Sequence, residues 1–139
     1  MRCYDYAVIR VVPRVERGEF INAGVVLCTR DGGFLGAAMA LDEARLYALD
    51  SGVDMALVRD QLASIERIVA GADDAGPIAR LPARARFHWL TVPRSALIQP
   101  SPVHGGRCND PALALHHLLR CMVLPASPLT PRSPAGRTV

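Results

Sequence analysis

The chain contains no lysine: all sixteen of its basic residues are arginine. Arginine's planar fork suits carboxylate or phosphate, although a genome that writes Arg where others write Lys gives the same composition. Aromatic side chains are also scarce, with one Trp, three Tyr and three Phe. That is a thin supply for the stacking platforms that hold single strands of nucleic acid. No apolar run approaches the roughly 18 or more residues of a membrane-spanning helix, and Asp5 and Arg10 interrupt any signal-like stretch near the N-terminus. The expected location is the cytoplasm. Cys3, Cys28, Cys108 and Cys121 form no CxxC pair, so reduced thiols are expected. There is no P-loop, no GxSxG elbow and no HExxH, and hence no complete catalytic signature.

What is present points to one folded domain. Half of the 139 residues are hydrophobic, enough for a real core in a chain of single-domain size. Charge is divided along the chain. Residues 1–76 hold eight Arg against twelve acids, whereas residues 77–139 hold eight Arg and a single acid, Asp110. An anionic partner for the C-terminal half is one reading of that division.

Residues 5–12 and 20–29 read as strands rich in Val and Ile. If Val12 pairs with Phe20, then Ile9 opposes Ala23 and Arg10 opposes Asn22, so two polar side chains meet on one face. Ile21, Ala23, Val25 and Leu27 would then share the apolar face of Ala7, Ile9 and Val11. Asp31-Gly32 supplies a turn signal, and residues 34–40 return as a third strand whose small residues, Gly36 to Ala38, invite a close helix. Asp42 caps a short helix through Leu49, and Asp54 caps a longer one ending near Gly71. Residues 71–86 look like a mobile connection, 87–92 like a fourth strand, and 94–109 like a long polar loop. Asp110, followed by Pro111 in the first helical position, opens a last helix. The expectation is an α+β domain over residues 1–124, with an antiparallel sheet of about four strands and helices packed on one face. Residues 125–139, with Pro at every third position, read as a flexible tail.

The stretch from Pro93 to Gly106 is long for a simple connection, and ordered loops of this length often hold binding groups. Arg94 can grip an anion with two prongs, Ser95 and Ser101 can donate hydroxyl hydrogens to it, and His104 can carry a proton near neutral pH. Gly105 and Gly106 leave room for a ligand. The ordinary alternative is that these polar side chains satisfy their own backbone. His104, Cys108, His116, His117 and Cys121 together offer enough nitrogen and sulfur ligands for zinc. The loop between them is short and Cys121 falls close to an apolar helix stripe, so no metal is assigned. No cofactor is assigned either.

The run GEFINAGVVL (Gly18 to Leu27), with FHWLTVPRSALIQPSPVHGG (Phe87 to Gly106) and Asp110-Pro111, resembles the bacterial domain-of-unknown-function family 3037 over roughly Tyr4 to Val123. The second run is the more specific. Carried over position by position, the resemblance marks Arg17, Gly18, Glu19, Asn22 and Gly24, then Arg94, Ser95, Gln99, Ser101, His104, Gly105, Asp110 and Pro111. It brings no activity and no cofactor. It does imply a gene neighbourhood shared with a HipA-like kinase, and so a shared pathway or complex.

Three functions compete. In the first the chain is an accessory or regulatory protein that binds a partner such as that kinase, or a small anionic ligand. The ligand-binding set is then Arg17, Asn22, Arg94, Ser95, Gln99, Ser101, His104 and Gly105. In the second it is a small enzyme acting on a phosphate-containing substrate such as a nucleotide or nucleic acid, with His104 as general acid or base and Glu19 orienting it. That mechanism requires Glu19 and His104 to converge. The third, a DNA-binding regulator, ranks last: the final helix carries only Arg120 besides its two His.

Overall fold

The computed structural model describes residues 1–125. Apart from Pro125, the expected tail lies outside the described residues. The chain runs β1 (Arg2–Val11), β2 (Ile21–Thr29), β3 (Leu35–Met39), α1 (Glu43–Leu49), α2 (Met55–Ala70), α3 (Ala83–Leu90), β4 (Ile98–Pro100), β5 (His104–Cys108) and α4 (Pro111–Met122). The strands form one antiparallel sheet in the order β3-β2-β1-β4, with β5 also paired to β1. This is the expected α+β class. β4 and β5 share one edge of β1, so they behave as a single edge strand broken between Ser101 and Val103.

The helices begin where carboxylate caps stand. Asp42 accepts from Arg45 N–H, Asp54 from Leu57 N–H, and Asp110 from the N–H groups of Ala112 and Leu113. α2 ends at Gly71 in the left-handed conformation (φ 69°), which glycine adopts without a Cβ penalty. α1, α2 and α3 pack on one face of the sheet, around Ile9, Val11, Val26, Leu46, Val58 and Phe87. α4 covers the other face, its Leu115 and Leu118 lying against Tyr4, Val8, Val25 and Leu27. The expectation of helices on one face did not include that second layer. The small residues of β3 make room for α4: a methyl on Gly36 would come 3.0 Å from Leu115 Cδ2.

Arg10 does oppose Asn22, but Ile9 opposes Gly24 rather than Ala23, because the register shifts at that point. Ala23 is the extra residue of a β-bulge. Ile21 and Ala23 keep the α1–α3 face, while beyond the bulge Val25 and Leu27 turn to α4 and Val26 and Cys28 replace them.

Residues 87–92 are not a strand but the second half and end of α3, and 71–86 are not simply a connection. They hold a 3-10 turn (Pro77–Arg80) and the start of that helix. Ala83 to Arg86 are strong helix formers, and the β-branched Thr91 and Val92 fall beyond the helix end. Arg86 ties α3 down by donating to the carbonyls of Ile68 (3.0 Å) and Val69 (2.7 Å) in the last turn of α2, where helical carbonyls lack their ordinary partners; Ile68 O also accepts from the capping Gly71 N–H.

The expected loop 94–109 contains β4 and β5. Its prolines are compatible with an edge strand, where no ladder N–H is needed on the outer side.

Candidate functional site

The bulge and the broken edge strand set out the candidate residues in three places. At the far end of β1, the turn between β1 and β2 carries Arg17 and Glu19, whose side chains pair at 2.5 Å. They line an open hollow with Arg14, Glu16 and Asp50, and Arg14 pairs with Asp50 at 3.4 Å. Every guanidinium here already has a carboxylate. The hydrogen bond from Arg17 holds the Glu19 carboxyl below the usual range, which makes it a weaker base than an ordinary glutamate.

The second place is the α4 face of the sheet. Arg10 of β1 lies directly between Asn22 of β2 and Gln99 of β4, and directly paired side chains of antiparallel strands project to the same side. The three therefore form a polar row across three strands. Asn22 donates from Nδ2 to the Met122 carbonyl (2.9 Å) at the end of α4. Its Oδ1 is buried without a partner among the described residues, and so is Arg10 Nε. The Arg10 guanidinium stacks 4.2 Å from the centre of the Phe20 ring. Phe20, Arg45, Met122 and Leu124 surround a hollow of about 390 Å³ beside Asn22. Farther along the same face His104 opposes Tyr6, with ring centroids 5.7 Å apart.

The third place is the opposite face, where Arg94 sits at the end of α3. Its Nη2 donates to Trp89 O (2.7 Å), its Nε to Val92 O (3.3 Å), and its guanidinium carbon stands 5.2 Å from the Trp89 ring centre. Ser95 is exposed in the turn that follows.

Several motif residues serve the scaffold. Ser101 is 5% exposed; its hydroxyl accepts from Val8 N–H (2.8 Å) and donates to Pro102 O (2.9 Å). Gln99 donates to Ala96 O (2.8 Å). Gly105 lets the Arg30 side chain cross the strand on its way to Asp5, and Gly106 lets the Tyr4 ring lie on the backbone. Gly18 takes a left-handed turn, while Asp110 and Pro111 open α4.

Glu19 and His104 are not brought together. Glu19 lies beyond the end of β1 that pairs with Ile21, whereas His104 pairs with Tyr6. Five residues of strand, about 17 Å, separate those ends. His117 and Cys121 do meet one turn apart, Sγ 3.5 Å from Nε2, but no group of three or more metal-ligating side chains forms among the described residues. Arg10, Phe20, Arg45 and Trp89 were not among the candidates. Only Arg10 left a signal, through its register opposite Asn22.

The geometry defines a small antiparallel α+β protein whose distinctive residues either brace a broken edge strand or project from it onto the two faces of the sheet. The chain belongs to the family described as "Protein of unknown function (DUF3037)", whose model matches residues 6–123, from β1 through the end of α4. No curated protein and no solved structure matches it.

Proposed function

We propose that this is an accessory or regulatory protein of the bacterial cytoplasm, which binds a protein partner through the α4 face of its sheet. A HipA-like kinase is the partner that the family resemblance suggests. The observation that carries the reading is the Asn22–Arg10–Gln99 row. Two adjacent members each keep a buried polar atom without a partner among the described residues, a costly arrangement. Around it Phe20, Met122 and Leu124 are each at least 40% exposed. An arginine and an aromatic ring ringed by apolar side chains is the composition of an interface centre. Arg10 and Arg45 favour an acidic segment on the partner.

The alternative is a small enzyme acting on a phosphate-containing substrate. It loses support from the separation of Glu19 and His104 and from the pairing of Glu19 with Arg17. No helix among the described residues is long and apolar enough to cross a membrane.

The test is association with the neighbouring kinase, followed by calorimetry and co-purification at low salt. Arg10→Ala should weaken binding at least tenfold. Arg45→Glu, at an exposed position of α1, should do so without loss of thermal stability. Unchanged binding in both variants, or no association of the parent protein at micromolar concentrations, would remove the proposal.

A further inference from the structure

α2 lies chiefly over β3, so the other side of the α1–α3 layer stays partly open beside β4. A hollow of about 220 Å³ occupies the gap. Ile9 and Ile98 form its floor, with Ile65 of α2 on one side and Trp89 of α3 on the other. Arg94 is the only charged residue among those described that line it. Its Nε and Nη2 are anchored on backbone carbonyls, which hold the guanidinium in place, and Nη1 has no hydrogen-bond partner among the described residues. Gln61 and Ser64 of α2 also line the hollow, and a mostly apolar one with a few polar groups is the usual form of a small-molecule site. The low-dielectric wall beside the cation strengthens a charge-assisted hydrogen bond there.

We propose that this hollow binds a small carboxylate with an apolar body, of the arylacetate or branched-alkanoate class. The hydrocarbon rests on Ile9, Ile98 and the Trp89 ring, and the carboxylate meets Arg94. The volume lies below the ~300–1,000 Å³ of sites for drug-sized ligands, which restricts the ligand to about one ring. The proposal goes beyond the reading of a partner-binding protein by adding a small-ligand site of stated chemistry. The partner surface centres on the Asn22–Arg10–Gln99 row, and the hollow beside it shares no lining residue with this one, so either can fail without the other.

Trp89 is the only tryptophan, and its fluorescence therefore reports on this hollow alone. The full chain is titrated with phenylacetate and, separately, with uncharged phenylacetamide. Phenylacetate should give a saturable change, with an affinity at least tenfold higher than that of the amide. Arg94→Gln should bring the acid down to the level of the amide. Ala96→Leu, which fills the hollow from its rim, should abolish both responses while leaving the melting temperature and the kinase association unchanged. Three results overturn the proposal: no saturable change up to millimolar phenylacetate, equal affinity for acid and amide, or an undiminished response in folded Ala96→Leu.

Discussion

A methyl group added to Gly24 and one added to Gly105 would each meet an atom at 2.8 Å, yet the consequences differ. At Gly24 the atom is the Ala38 carbonyl oxygen of the neighbouring strand, and the Met39 sulfur would be closer still. At Gly105 it is Nη2 of Arg30, the tip of an exposed side chain. Gly24→Ala should therefore cost about 1–3 kcal/mol by overpacking. Gly105→Ala should cost less than about 1 kcal/mol, since it disturbs only a surface ion pair. Urea denaturation of the two variants decides the matter, and equal losses would contradict it. Both glycines stand out in the sequence as members of the family's motifs. What each one accommodates depends on a residue far away in the chain, which no local pattern contains.

Among the elements, the broken edge strand depends on one hydroxyl. Ser101 N–H donates to Val8 O (2.8 Å), while the return bond from Val8 N–H goes to the Ser101 side chain rather than to its carbonyl. Ser101→Ala should leave that buried N–H unsatisfied and cost about 1–3 kcal/mol. Ser101→Thr, which keeps the hydroxyl, should retain most of the stability. Amide exchange at Val8 provides a second readout, accelerated in the alanine variant alone. In the sequence Ser101 resembles an anion ligand, because a hydroxyl in a proline-stiffened stretch looks available. Only the approach of β1 commits it to the backbone. The same limit explains α3: its helix formers are visible in the sequence, but one aromatic run next to two β-branched residues also fits a strand. The contact of Arg86 with the end of α2 lies outside any short window.

For the molecule as a whole, three arginines of the basic half, Arg84, Arg86 and Arg94, are engaged within the fold. Arg84, from the basic half, pairs with Asp5 of the acidic half at 3.0 Å. Arg86 donates to Leu81 O and to the last turn of α2, and Arg94 donates to Trp89 O in α3 and to Val92 O just beyond it. The exposed carboxylates set the response to acid. Asp31 is held below its ordinary pKa first by the Gly33 N–H, then by the Thr29 hydroxyl and Arg2. Arg59 lowers Glu43 and Arg17 lowers Glu19 in the same way. A carboxyl depressed in the folded state contributes stability above its unfolded pKa of about 4 and loses it as pH falls through the folded value. Melting temperature should thus fall as pH drops below about 4. Asp31→Asn should be less stable than the parent at pH 7 and should converge with it in that acid range. Parallel curves from pH 7 to pH 2 would refute this linkage.

The sequence alone was enough to place α1, α2 and α4 and to set Arg10 opposite Asn22. Caps such as Asp42, Asp54 and Asp110 act within one helical turn, and strand alternation repeats every two residues, so both signals are local. Tertiary structure alone decided where Ala23 bulges, whether Phe87 and Trp89 join a strand or a helix, and which polar groups remain available. Those outcomes depend on packing volume and on hydrogen-bond partners supplied by distant segments. Asn22 and Gln99 consequently share a face, while Arg94, a few residues from Gln99, serves the other side of the sheet.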